Sequence, residues 1–203
     1  MTNPSGLMKL KVLDGNLLLN FDYNRNLQIK DSVFKNKNIY TNFKGQVNFE
    51  PFFYFKIFTD IKKANLGNLK LNRLYRLIID DISSKKLNGS LTINYLTNKF
   101  NAKTDTRNSK INMIFNNGDI ISKNSFFQFS NLNIQLDFYL KRYPLYKDLE
   151  YEILLETENI NKFYKIIGVK KDKNLKEIKA LINGKINLNA QKYYINKITI
   201  NEK

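Results

Sequence analysis

The sequence predicts a mainly β protein, a long curved antiparallel sheet carrying two short amphipathic helices. Three observations lead there. Apolar and polar residues alternate with a period of two along most of the chain, as they do in strands with one apolar and one polar face. Asn-Gly and Asp-Gly pairs stand between these runs and tolerate the positive φ of tight hairpin turns. Only two stretches switch to a helical period.

In chain order, Leu17, Leu19, Phe21 and Tyr23 form the first clear stripe, with Asn20 and Asp22 between them. A strand led by Gly45 follows, and its aromatic tail is read as running to Phe58. In Leu71 to Ile82, apolar residues at 71, 74, 75, 78 and 82 make a helical stripe that Asn68 or Asn72 could cap. Leu91, Ile93 and Tyr95 then alternate with Thr92 and Asn94. The clearest strand is Leu132 to Leu140, with Leu132, Ile134, Leu136, Phe138 and Leu140 on one side. Leu149, Tyr151, Ile153 and Leu155 alternate with Glu150, Glu152 and Glu156.

A second helix is predicted over Asn159 to Gly168, with Ile160, Phe163, Tyr164 and Ile167 on one stripe. The alternation resumes at Ile186, Leu188, Tyr193, Ile195, Ile198 and Ile200. Asp14-Gly15, Asn88-Gly89, Asn117-Gly118 and Asn183-Gly184 are read as turns. Three segments share the form Gly-polar-apolar-polar-apolar, beginning at Gly45, Gly89 and Gly184. Their unequal spacing makes a degenerate repeat and not a solenoid period. In all, about ten strands are expected.

Composition narrows the chemistry. The 203 residues contain no Cys, no His and no Trp. That removes disulfides, thiolate zinc sites, cysteine nucleophiles and the Ser-His-Asp triad. No phosphate loop or nucleophile elbow is present. Asp80 and Asp81 are adjacent on a predicted helix, so they diverge by about 100° and do not converge on one ion. Glu150, Glu152, Glu156 and Glu158 form the acidic cluster; Glu150, Glu152 and Glu156 share one polar strand face that could bind a cation weakly and is read first as pairing with Lys on a neighbouring strand. No catalytic residue, metal ligand or cofactor is expected, and the protein is read as non-enzymatic.

The formal charge of +16 invites a nucleic-acid reading. Yet Asn, Lys, Ile, Phe and Tyr, all residues with A/T-rich codons, dominate the chain, and Arg occurs five times. The Lys excess therefore reads first as genome composition. The densest cluster, Lys170, Lys171, Lys173, Lys176 and Lys179, reads as a solvated face or a contact with anionic headgroups. Aromatics beside Lys at Phe163, Tyr164 and Tyr193, Tyr194 give a weak base-stacking signal without an accompanying motif.

One-sided strands must have their apolar faces covered. A sandwich or closed barrel would cover them with each other. An open sheet would leave an apolar trough for a greasy ligand. Phe52 to Phe58 and Phe126, Phe127 and Phe129 would enlarge its lining. The residues alone leave both arrangements open.

The order of these segments resembles a known family. A Gly-led strand, a short helix, Asn88 to Tyr95, Ile111 to Ile120, the strand 132–140, and a closing Ile-Ile-Gly helix with an Asn-Gly hairpin together resemble the C-terminal region of AsmA-like proteins. These are TamB-related bridge-like lipid-transfer proteins of the bacterial envelope. The likeness covers roughly residues 40–203 and rests on patterns of apolarity and glycine. It implies a single curved β-groove over 1–203 that shields phospholipid acyl chains, with roles in lipid transport or outer-membrane biogenesis. The implied location is periplasm-facing and inner-membrane-associated. No apolar leader follows Met1, which by itself predicts a cytoplasmic chain. The strand-like pattern at both ends instead suggests a piece of a longer protein. The expected groove lining is Leu91, Ile93, Tyr95, Ile111, Met113, Phe115, Leu132, Ile134, Leu136, Phe138, Ile186 and Leu188. Lys170, Lys171 and Lys173 are expected to face an anionic membrane surface. The alternative is a closed β-sandwich acting as a structural or interaction module.

Overall fold

The computed structural model describes residues 4–64, 86–95, 106–129, 132–142, 148–158, 177–188, 190 and 192–202. They form twelve strands: β1 (Ser5–Val12), β2 (Gly15–Asn24), β3 (Asn26–Lys35), β4 (Ile39–Asn48), β5 (Tyr54–Ala64), β6 (Gly89–Tyr95), β7 (Thr106–Asn116), β8 (Asp119–Phe129), β9 (Leu132–Leu140), β10 (Asp148–Thr157), β11 (Ile178–Asn187) and β12 (Lys192–Glu202). All twelve belong to one sheet and lie side by side in chain order. β1 and β12 do not pair, so the sheet is open. Among the described residues there is no second layer and no helix. Both predicted helices, 71–82 and 159–168, lie outside the described residues, as do Asp80, Asp81 and Lys170 to Lys176.

The mainly β, mostly antiparallel reading is borne out. One pair departs from it: β5 and β6 run parallel. About 24 residues separate Ala64 from Gly89, enough for the crossover that a parallel pair requires. Of the four expected turns, Asn117-Gly118 is one, and the turn expected at Asp14-Gly15 falls one residue earlier, with Gly15 opening β2. Leu13-Asp14 and Asn117-Gly118 close the β1–β2 and β7–β8 hairpins with positive φ at both residues. Asn183-Gly184 lies inside β11, where the pairing with β12 shifts register. Asn88-Gly89 opens β6, and the Asn88 carbonyl accepts the Phe55 N–H at 3.1 Å. The Gly45 strand stops at Asn48, and a loop over 49–53 leads to β5. Pro51 has no N–H to offer a ladder, so the expected continuous aromatic strand is broken there.

Register shifts recur across the sheet, and two of them share a sequence. Lys30-Asp-Ser-Val-Phe34 on β3 matches Lys123-Asn-Ser-Phe-Phe127 on β8. In each, the serine is fully buried at a break in the ladder. Ser32 Oγ accepts the Asn20 N–H at 2.9 Å, and Ser125 Oγ accepts the Asn112 N–H at 2.9 Å. A bulge leaves backbone groups unpaired, and the serine hydroxyl takes their place. Ser125 also bonds Ser122 across 2.7 Å. Ser32→Ala and Ser125→Ala are each expected to cost about 1–3 kcal/mol, the penalty for an orphaned buried N–H. Urea unfolding of the two variants checks this, and a cost near zero would mean that water replaces the hydroxyl.

Fully buried apolar side chains are few. Phe115, Ile120 and Leu140 form the central cluster, and Phe55, Leu87, Leu91, Met113, Phe138, Leu149 and Leu188 pack on it. This cluster sits where β7, β9 and β11 end and β6, β8 and β10 begin.

Candidate functional site

The candidate site is one face of the sheet. Residues directly opposite each other on paired strands share a face, so the ladders can be followed across. Leu91 faces Met113, Ile93 faces Ile111, and Gly89 faces Phe115. Ile120, Ser125 and Phe127 of β8 face Leu140, Leu136 and Ile134. Those in turn face Leu149, Ile153 and Leu155 of β10, and Leu149 faces Ile186. Eleven of the twelve expected lining residues therefore fall on one face. Leu188 follows β11 directly and packs against the Phe115 cluster.

The same face continues in both directions. Toward β1 it carries Ile57, Val47, Ile29, Phe21 and Leu10. Toward β12 it carries Ile182, Tyr193, Ile195, Ile198 and Ile200. These positions were missed as lining, although the alternation at Leu17 to Tyr23 and Ile198 to Ile200 already marked them. Three corrections apply to the expected aromatics. Phe58 faces Lys44 and Phe126 faces Lys110, so both lie on the polar side. Phe52 and Phe53 lie in the 49–53 loop and not on a strand.

Ten of the twelve candidates are partly exposed, while Phe115 and Leu132 are buried. Two glycines let neighbours lean over the face. A Cβ on Gly89 would lie 2.7 Å from the Phe55 ring, and one on Gly184 would lie 2.7 Å from the Tyr151 ring. Phe55 thereby reaches across β6 to Phe115, with ring centroids 5.2 Å apart.

The opposite face is the more polar one, although Ile114, Ile121, Phe126 and Leu154 also lie on it. Asp60, Asn94 and Asn112 lie there, and Asn94 Nδ2 donates to Asp60 Oδ1 at 2.8 Å. The expected Glu–Lys pairing across strands is present as Lys179 with Glu156. Lys30 pairs with Asp22, and Lys185 lies 3.6 Å from Asp148. All three pairs are half-exposed, so each contributes little to stability. The Tyr139 hydroxyl donates to Asp119 Oδ2 at 2.9 Å. That hydrogen bond, then burial, then the charges of Asp119 and Glu150, raise the phenol above its ordinary pKa. Tyr139 therefore stays a neutral donor wherever the fold is used near neutral pH.

Among the described residues no group of three acidic side chains could hold a metal ion. No helix among them is long and apolar enough to cross a membrane. Tyr193 and Tyr194 point to opposite faces, so they do not form one base-stacking platform. The outer edges are long and greasy. Leu7, Met8, Leu10 and Val12 on β1 and Tyr193, Ile195, Ile198 and Ile200 on β12 are exposed, a combination that free sheet edges ordinarily avoid.

Among the described residues, the fold is a single open β-sheet layer with one continuous apolar side. No family model, curated protein or solved structure matches the chain.

Proposed function

We propose that the apolar face is a groove that shields lipid acyl chains, and that the protein handles phospholipids without making or breaking bonds. The carrying observation is the apolar stripe that runs through twelve paired strands with its side chains half-exposed and no second layer of described residues over it. A soluble chain rarely leaves that much contiguous apolar surface without a partner. An acyl chain suits such a stripe because it is long, flexible and apolar throughout. Each buried CH₂ contributes about 0.8 kcal/mol, which offsets the loss of bilayer contacts. The headgroup stays at the polar rim.

The likeness to AsmA-like proteins supports the same reading. It favours a bacterial envelope protein, facing the periplasm beside the inner membrane, in phospholipid transport or outer-membrane biogenesis. The curved shape of the groove and its membrane association belong to this proposal.

Mass spectrometry of lipids retained after mild purification is the test, read on two neighbouring variants. Ile134 faces Phe127 and Leu155 on the apolar side, whereas Gln135 faces Phe126 and Leu154 on the other. Ile134→Asp is expected to lower retained lipid about tenfold, since a carboxylate against an acyl chain is costly. Gln135→Asp is expected to leave it unchanged. Absence of lipid from the wild-type protein, or equal retention in both variants, would remove the proposal.

A further inference from the structure

We infer that the loop over 49–53 docks the protein on an anionic phospholipid bilayer, with Phe52 and Phe53 in the acyl region. The loop joins β4 to β5 at one end of the sheet. Its aromatics point outward: Phe52 is 78% exposed, Phe49 50%, and Phe53 and Tyr54 43% each. Four exposed aromatics within six residues form an apolar tip that water does not favour.

Two further observations select a bilayer as the occupant. The first is continuity with the groove. Phe49 and Phe53 rings lie 6.2 Å apart, Phe53 and Phe55 6.2 Å, and Phe55 and Phe115 5.2 Å. An unbroken row of rings thus leads from the loop tip to the centre of the apolar face. A folded protein partner needs no such path, whereas an acyl chain leaving a bilayer does.

The second observation is charge. The strand ends along this rim carry Arg25 of the β2–β3 turn and Lys86 before β6, and farther from the loop Lys141 and Arg142 after β9 and Lys192 opening β12. Among the described residues, the acids on the same rim are Glu50, Asp119 and Asp148. Asp119 already accepts the Arg142 N–H and the Tyr139 hydroxyl, and Asp148 accepts Asn187 and faces Lys185. Cations along the rim that carries the aromatic tip match the interface of an anionic leaflet, with rings below the headgroups and ammonium groups among the phosphates.

The inference rests on the groove reading only for the fate of a lipid after docking. Docking itself is tested separately, because the chain has no Trp. Phe52→Trp gives the full chain a single indole at an exposed position that tolerates the change. Vesicles of phosphatidylglycerol and phosphatidylcholine in equal parts should shift its emission to the blue, and brominated acyl chains should quench it. Inorganic phosphate should do neither. Phe52→Asp with Phe53→Asp should weaken vesicle co-sedimentation about tenfold or more. Lys86→Glu with Lys141→Glu should weaken it too, and more at low salt than at high salt. Vesicle binding without an indole shift in the Phe52→Trp variant would assign the contact to another surface and overturn the inference. A shift that appears without vesicles and grows with protein concentration would assign the tip to a second copy and also overturn it. Lipid retained in the groove with no insertion of the indole defeats the docking alone. Insertion of the indole with no retained lipid defeats the groove alone.

Discussion

Gly89→Val is expected to destabilise the protein by about 3 kcal/mol, whereas Gly6→Val is expected to be nearly neutral. Both glycines lie on the apolar face, facing Phe115 and Phe21. They differ in what a side chain would meet. A Cβ on Gly89 would sit 2.3 Å from the Phe55 carbonyl and 2.7 Å from its ring, while Gly6 has nothing within 4 Å. The first obstacle is backbone and cannot turn aside. Gly89 also carries a φ of 154°, which adds strain for any branched residue. Its strand makes the one parallel pairing among the described residues, the joint between β1–β5 and β6–β12. Overfilling that joint pushes β5 from β6 and breaks the row of rings from Phe53 to Phe115. Urea midpoints of both variants decide the matter. A neutral Gly89→Val would mean that β5 moves freely, and that the two halves of the sheet are not rigidly joined.

The strands were legible because alternation is a local property. Leu132 to Leu140 reads as one strand from its own nine residues, and it is one. The shared apolar face was legible for the same reason, since period-two stripes in successive antiparallel strands line up whenever one face is apolar. What local pattern does not carry is where a strand breaks or which neighbour it takes. Phe52 to Phe58 looked like a single greasy segment, yet Phe55 joins the apolar face and Phe58 the polar one. The parallel joint at β5–β6 depends on a connection whose path no residue pattern encodes. Asn183-Gly184 has turn chemistry, but Tyr151 covers Gly184 within the sheet, so close packing and not a turn accounts for that glycine. The buried serines left a trace, the Lys-polar-Ser-apolar-Phe repeat at 30–34 and 123–127. Its meaning needed the register shifts to be seen.

Position on the apolar face does not by itself make a residue a ligand contact, and Phe115 separates the two roles. Phe115 is 7% exposed, while Leu136 on the same face is half-buried. Its ring packs on Phe55, with Ile120 and Leu140 beside it. The chain itself therefore occupies the surface that Phe115 would offer to a lipid. Phe115→Ala is expected to cost about 3–5 kcal/mol, because the ring's removal leaves a cavity that paired strands cannot close. Retained lipid per folded molecule is expected to change little. Leu136→Ala should behave in the opposite way, with a cost of about 1 kcal/mol, the usual size for a half-buried position, and a clear fall in retained lipid. Unfolding midpoints and lipid mass spectrometry on the same preparations read both quantities. If the two variants lose lipid equally at equal cost in stability, the apolar face is a single undivided core, and the half-exposed stripe holds no separate place for a ligand.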